Sequence, residues 1–194
     1  MSEKTATLTF NDTGRSIDLP VLSGSEGPDC VDISTLYGQG KVFTFDPGFV
    51  ATASCESSIT YIDGNEGILR YRGYPIEQLA EKSNFVEVAY LLLYGELPTP
   101  MQLEDFNGII THHTMINDSL LRFFQGFHNN AHPMAMMVAV VGSLSAFYHD
   151  SMDISCPRHR EISAHRLIAK LPTIAAACYK HNVGEPVMYP QNHL

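Results

Sequence analysis

The stretch 54-SCESSITYIDGNEGILRYRGYP-75 decides how the chain is organised. Its centre predicts a β-hairpin, because β-branched and aromatic runs at 59–62 and 68–71 flank a turn at 63–67. The turn contains glycine, aspartate and asparagine, which accept the positive φ angles of tight turns. Pro75 then suits the first turn of a helix. The stretch therefore predicts that strands give way to helices at about residue 75.

Residues 1–75 predict a β-rich segment. The alternating residues 5–10 and the run 15–22 predict a first hairpin around a short polar turn. Shorter extended pieces are expected at 31–33 and 42–45, separated by a stretch that contains two glycines. We therefore expect strands, and no long helix, in this part of the chain.

Residues 76–194 predict a helical part, so the fold class is mainly α with a small β-rich N-terminal segment. Gly95 predicts the end of one helix, and Thr99 followed by Pro100 predicts the start of the next. The expected helices are 76–81, 85–94, Pro100 to about Met115, a helix capped by Asp118 and running to Phe127, 134–148 opened by Pro133, and 158–181 with a kink at Pro172.

The helix predicted at 134–148 is apolar on nearly every side. A helix of this kind must be covered all round, and the few other helices of this chain can hardly do that. Either further sequence beyond Leu194 or a second subunit is expected to cover it. We therefore expect this helix to lie in an obligate interface, with Val140 among the residues buried there.

The composition of the chain limits its partners and its location. The formal net charge of −9 argues against a nucleic acid or an anionic membrane surface as partner. The longest apolar run, 134–141, is far too short to span a bilayer. The four cysteines form no CxxC pair and no secretory leader opens the chain, which favours a reducing, cytoplasmic location.

No residue pattern predicts a metal site or a phosphate loop. His112 and His113 are adjacent, so they diverge on a helix and make a poor metal pair. His149, Cys156 and His159 match no strong zinc spacing. The chain has no GxxxxGKS/T motif and no GxGxxG motif after a strand. We therefore expect no metal ligand in this chain.

Several separate blocks carry a resemblance to a known family. Besides the hairpin stretch 54–75, they are VFTFDPGF at 42–49, TASCE at 52–56, YLLLYGELP at 90–98, HPMA at 132–135, AFYHD at 146–150, PRHRE at 157–161 and YP at 189–190. In this order they resemble the citrate synthases, in particular the longer, hexamer-forming enzymes of Gram-negative bacteria. The resemblance implies a mainly helical fold with a large and a small domain, to which 76–194 would contribute part of the large one. It also implies an interface formed by the helices at 134–148 and 158–181.

The resemblance implies an acyltransferase that makes citrate from acetyl-CoA and oxaloacetate, at the entry to the tricarboxylic acid cycle. In this family a carboxylate takes a proton from the acetyl methyl group, histidines stabilise the enol, and arginines hold the substrate carboxylates. The matching segments lie beyond Leu194, so we assign no catalytic residue and expect the chain alone to be inactive. No cofactor is implied, since acetyl-CoA is a substrate and NADH a possible allosteric inhibitor. The full-length protein is expected to form dimers and hexamers.

An allosteric NADH site is also implied by the resemblance. Its matching positions here are Tyr148, Arg166, Lys170, His113, Thr114 and Asn192. The spacing of Arg166 and Lys170 places both cations on one side of a helix, where they could hold a diphosphate. On spacing alone, a solvated helix face is the alternative interpretation. His112 replaces an arginine of the relatives, and this exchange weakens the phosphate site at neutral pH.

Two other functions remain open at this point. A 2-methylcitrate synthase would share the fold and the chemistry but take propionyl-CoA, and the residues that discriminate the two are not found in this chain. A stand-alone interaction or regulatory module is the alternative from another class. A chain ending at Leu194 without a polar tail looks interrupted, which favours part of an enzyme over a module.

Overall fold

A computed structural model describes residues 4–192 of the chain. The chain divides into two compact units, with the boundary between Leu97 and Pro98. Within the described residues all strands lie before Ile76, and the described chain contains seven α-helices. The mainly α fold class predicted from the sequence is confirmed.

The first sheet of the first unit has three antiparallel strands in the order β1-β2-β3. They are β1 (Thr5–Thr9), β2 (Ser16–Leu22) and β3 (Cys30–Val31). A short helix, α1 (Leu36–Gly40), follows, and Leu36 packs with two buried side chains of β2, Ile17 and Leu19. The predicted first hairpin is confirmed.

The second sheet contains the hairpin predicted within residues 54–75. It is formed by β4 (Thr60–Asp63), β5 (Ile68–Tyr71) and β6 (Tyr74–Pro75), all antiparallel. The Asp63 carboxylate accepts the backbone N–H groups of Asn65 and Glu66 at 3.0 and 3.1 Å, which holds the turn. This hairpin and the change to helix after Pro75 are confirmed.

One expectation for the β-rich segment is wrong. The structure forms α1 where only a glycine-containing separator was expected, and within the described residues no strand forms at 42–45. Lys41 ends α1 in the left-handed conformation, at φ 58°. The ring of Phe43 then stacks on Tyr37 with centroids 4.4 Å apart. The local ring pair and the lack of a partner strand explain why this aromatic run does not join a sheet.

Local end signals fix most helix boundaries. The helices are α2 (Ile76–Lys82) and α3 (Phe85–Tyr94) in the first unit, and α4 (Pro100–His113), α5 (Asp118–Phe124), α6 (Pro133–Ser143) and α7 (Pro157–Val183) in the second. As predicted, α3 ends at Gly95, with φ 94°, and α4 begins after Thr99, whose side chain forms a capping box with Gln102.

Three predicted helix ends need correction. Asn117, not Asp118, caps α5, since its side chain accepts the N–H of Ser119 at 2.8 Å, and the helix ends at Phe124. α6 ends at Ser143 and short 3-10 turns follow at Leu144–Ala146 and His149–Ser151. The Ser143 hydroxyl donates to a carbonyl of its own turn, which competes with helix continuation. α7 continues past Pro172 to Val183, and the kink predicted at Pro172 stays a prediction.

The faces of α6 differ in a way that the sequence does not show. Val140 and Met136 are both 0% exposed and lie in the core of the second unit, with Ile174 of α7. Val138, in contrast, is 70% exposed, and Met134 is exposed as well. Val140 therefore belongs to the chain's own core, which corrects its assignment to a subunit interface. The uncovered apolar face of α6 is the one that contains Met134 and Val138.

No helix within residues 4–192 is both long enough and apolar enough to cross a bilayer.

The two valines of α6 provide a matched test of this placement. In the 194-residue chain, Val140→Asp should lower the free energy of unfolding by about 3 kcal/mol or more, because it buries an unpaired carboxylate. Val138→Asp should change it by less than about 0.5 kcal/mol, because the new charge meets solvent. Urea unfolding followed by circular dichroism measures both. Equal losses for the two variants would contradict the placement.

Candidate functional site

Tyr148 lies beside two cations of α7. The guanidinium carbon of Arg166 is 4.6 Å from the centroid of the Tyr148 ring, and the Nζ atom of Lys170 is 5.1 Å from it. Both distances are within the range of cation–π attraction. The spacing of four residues along α7 therefore directs both cations to one ring.

Arg166 is held by a carboxylate that precedes it by 16 residues. Its two terminal nitrogens donate to the two Asp150 carboxylate oxygens at 2.5 and 2.7 Å, and one of them also donates to the Ser151 hydroxyl at 3.0 Å. This hydrogen bonding lowers the pKa of Asp150 to about 2 and raises the pKa of Arg166. The pair is therefore fully ionised at neutral pH.

Lys170 is buried, with 3% of its surface exposed. Its Nζ atom donates to the backbone carbonyl of His113 at 2.7 Å and to that of Met115. These carbonyls lie at the end of α4, where helix carbonyls lack intrahelical donors and carry partial negative charge. A solvated helix face is thus the wrong interpretation for Lys170, which joins α7 to the end of α4.

The other predicted site residues lie around the same helix end. The Thr114 hydroxyl is 3.0 Å from Oδ1 of Asn192, and the Asn192 amide donates to the Thr111 carbonyl at 3.1 Å. The Thr173 hydroxyl of α7 donates to the carbonyl of Thr114 at 2.9 Å. His113 contributes its carbonyl to Lys170, as described above. The six predicted positions are therefore connected through contacts of α4, α7 and the C-terminal segment.

His112 is exposed near the end of α4. Its Nδ1 atom is 2.6 Å from the carbonyl of Gly108, one turn earlier in the same helix. The ring is thus held against its own helix.

A cavity of about 300 Å³ lies between α6, the 3-10 turns and α7. Its lining residues are Val141, Leu144, Ser145, Tyr148, Ser151, Met152, Ser163, Arg166 and Leu167. Within the described part of the chain, the Nε atom of Arg166 is buried and has no hydrogen-bond partner. The cavity therefore combines apolar walls with the side chain of Arg166 and several hydroxyls.

Sequence reasoning missed Asp150 and Ser151. Both lie in the short turn at His149–Ser151, and nothing in their local pattern indicates a partner 15 or 16 residues later. The turn is held against α7 by the Ser163 hydroxyl, which donates to the Ser151 carbonyl at 3.0 Å. This long-range contact has no sequence signal of its own.

Among residues 4–192 no group of three histidine, cysteine or acidic side chains is arranged to hold a metal ion.

The buried contacts of Lys170 can be tested against a lysine in the last turn of the same helix. Lys170→Met should lower the free energy of unfolding by about 1–3 kcal/mol, because two carbonyls lose their donor. Lys180→Met breaks a pair with the exposed Glu185 and should cost less than about 1 kcal/mol. Urea unfolding of the two variants gives both values. A Lys170→Met variant as stable as Lys180→Met would contradict the structural role of Lys170.

Comparison with known proteins relates this architecture to one family. The family model described as "Citrate synthase, C-terminal domain" matches residues 48–194. The structure of citrate synthase from Pyrobaculum aerophilum is 34% identical with a TM-score of 0.67, and the match covers 76% of this chain and 39% of that one. The structure of citrate synthase from Thermotoga maritima MSB8 is 32% identical with a TM-score of 0.64, and the match covers 78% of this chain and 38% of that one.

A third similar structure is a ternary complex of carboxymethyl coenzyme A and oxaloacetate with citrate synthase from Thermoplasma acidophilum. It is 27% identical with a TM-score of 0.67, and the match covers 73% of this chain and 37% of that one. The chain thus spans about two fifths of the length of the citrate synthases it matches. Because the family model extends over most of the sequence, this chain belongs to the citrate synthase family.

Proposed function

We propose that this chain is part of a citrate synthase that condenses acetyl-CoA with oxaloacetate to give citrate and CoA. The observation that carries the proposal is the family match over residues 48–194, together with 34% identity to a solved citrate synthase. The relative from Thermoplasma acidophilum was solved with carboxymethyl coenzyme A and oxaloacetate, which supports substrates of this kind. The sequence blocks described above support the hexamer-forming Gram-negative type, and the four cysteines without a CxxC pair support a cytoplasmic location.

In this proposal the chain is the N-terminal portion, with segment 1–75 followed by part of the large domain at 76–194. The chain spans only about two fifths of its relatives. We propose that the catalytic residues, for which this chain has no matching motif, lie in the remainder of the full-length protein.

Activity assays test this assignment directly. The full-length protein should convert acetyl-CoA and oxaloacetate to citrate and CoA, and should use propionyl-CoA more slowly. The isolated 194-residue chain should release no CoA above a no-protein control. Faster turnover of propionyl-CoA would favour a 2-methylcitrate synthase, and turnover by the isolated chain would overturn the placement of the catalytic residues.

We also propose that the full-length protein self-associates through α6 and α7. The support is the uncovered face of α6, with Met134 and Val138, and the exposed Tyr179 and Val183 on α7. Burial of such apolar surface is the main driving force of protein association. Light scattering of full-length Val138→Asp should give a smaller species than the wild type, and an unchanged mass would remove this face from the interface.

We propose further that NADH binds as an allosteric inhibitor at Tyr148, Arg166 and Lys170, with His113, Thr114 and Asn192 around them. The guanidinium of Arg166 matches the geometry of phosphate oxygens, and the Tyr148 ring offers a surface for stacking. Lys170 is committed to backbone carbonyls, so it supports the site by fixing the segment after α4. His112 stands where the relatives have a permanent cation.

A permanent cation at position 112 should strengthen inhibition by NADH. His112→Arg should lower the NADH concentration for half inhibition at pH 8, because arginine is charged there and attracts the anionic diphosphate. The measurement is the NADH concentration for half inhibition of the full-length enzyme, wild type against His112→Arg, at pH 8.

Arg166→Leu should abolish this inhibition, whereas Arg158→Leu, at the exposed start of the same helix, should leave it unchanged. Inhibition that survives Arg166→Leu would remove the site from α7.

A further inference from the structure

We propose that the carboxylate of Asp150 is a built-in competitor for anions at Arg166, so that a phosphate group binds there only by displacing it. We refer to this Asp150–Arg166 pair as the latch. The inference rests on the proposed nucleotide site in one respect, since it takes Arg166 as the group that receives the phosphate. The chemistry is that of a diphosphate, whether as free pyrophosphate or within a nucleotide.

The latch occupies the edge of the guanidinium that a phosphate would use. Both terminal nitrogens of Arg166 donate to separate oxygens of Asp150, at 2.5 and 2.7 Å. A paired, two-point contact of this kind is how arginine binds carboxylate and phosphate alike. An incoming phosphate therefore has to take the place of the carboxylate on that edge.

The exposure of the two side chains decides the side from which an anion arrives. The Arg166 side chain is only 16% exposed, whereas the Asp150 side chain is 62% exposed. One face of the guanidinium lies over the Tyr148 ring, 4.6 Å from its centroid. With that face covered and the fork edge paired, an anion from solvent meets the carboxylate before it reaches the guanidinium.

The latch is closed at neutral pH. The hydrogen bond from Arg166 holds the pKa of Asp150 at about 2, so the carboxylate is charged at neutral pH. Protonation of Asp150 therefore does not release Arg166 at this pH. Arg166 is released when a second anion competes with the Asp150 carboxylate for its guanidinium.

Asp150 can leave Arg166 without loss of its turn. Asp150 belongs to a three-residue 3-10 turn, and such turns have poorer hydrogen-bond geometry than α-helices. The same turn has an independent anchor on α7, since the Ser163 hydroxyl donates to the Ser151 carbonyl at 3.0 Å. Release of the carboxylate thus leaves the backbone of the turn attached.

The test measures the affinity of the full-length protein for two probes, pyrophosphate by calorimetry and NADH by fluorescence. Asp150→Asn keeps the size of the side chain and removes the competing charge. It should tighten the binding of both probes by roughly 3- to 10-fold, the range of a partly exposed ion pair. Asp153→Asn is the matched control, because it removes a charge from the same loop while its carboxylate contacts the N–H of Ser155. It should change either affinity less than twofold.

A double-mutant cycle separates competition from general electrostatics. When Arg166 is replaced by leucine, Asp150→Asn should no longer tighten pyrophosphate binding, because there is no guanidinium left to release. If Asp150→Asn tightens binding as much in the Arg166→Leu protein as in the wild type, or no more than Asp153→Asn does, the latch is overturned. Asp150→Ser repeats the measurement if Asp150→Asn fails to fold.

The two probes distinguish the latch from the nucleotide site. Tighter pyrophosphate binding in Asp150→Asn, with no NADH binding by any variant, would support the latch and overturn the nucleotide proposal. NADH binding that requires Arg166 but is equal in wild type and Asp150→Asn would support the nucleotide site and overturn the latch.

Discussion

The arrangement of the second unit depends on one buried ammonium group. Lys170 is almost inaccessible to solvent, and burying such a charge is unfavourable unless donors find acceptors. Its acceptors are the carbonyls of His113 and Met115 at the end of α4, with the Tyr148 ring on another side. The same contact thus lies at the end of α4, joins α4 to α7 and positions the Tyr148 ring on which Arg166 lies. The anion site proposed at Arg166 depends on that arrangement.

α6 shows how one apolar sequence is divided between two roles. Met136 and Val140 lie in the core with Ile174, whereas Met134 and Val138 are exposed. Periodicity does not separate these faces, because the sequence is apolar all round and has no polar stripe to mark the outside. The need for a further covering surface was predictable from the sequence. Which residues it covers became clear only from the packing of α6 against α7.

The features predictable from the sequence are those that residues fix over short distances. The hairpin at 60–71, the end of α3 at Gly95 and the start of α4 after Thr99 each follow from a few neighbouring residues. The features that were not predicted depend on side-chain contacts or on competing hydrogen bonds, which short sequence patterns do not encode. Ring stacking of Phe43 overrides its strand preference, the hydroxyl of Ser143 competes with helix continuation, and Asp150 finds Arg166 across 16 residues. The residue positions of the candidate site were predicted from the family resemblance, whereas the groups that these residues contact are known only from the tertiary structure.

α7 has a consequence for how this chain can change over time. Its positions 170, 174 and 178 follow each other at intervals of four, so Lys170, Ile174 and Cys178 share one buried side. Each residue of an α-helix turns the chain by about 100°, with 3.6 residues in a turn. A single inserted or deleted residue between Lys170 and Ile174 would rotate the second half of the helix out of the core or the lysine away from α4. We therefore expect this segment of α7 to tolerate substitutions far better than a change of its length by one residue.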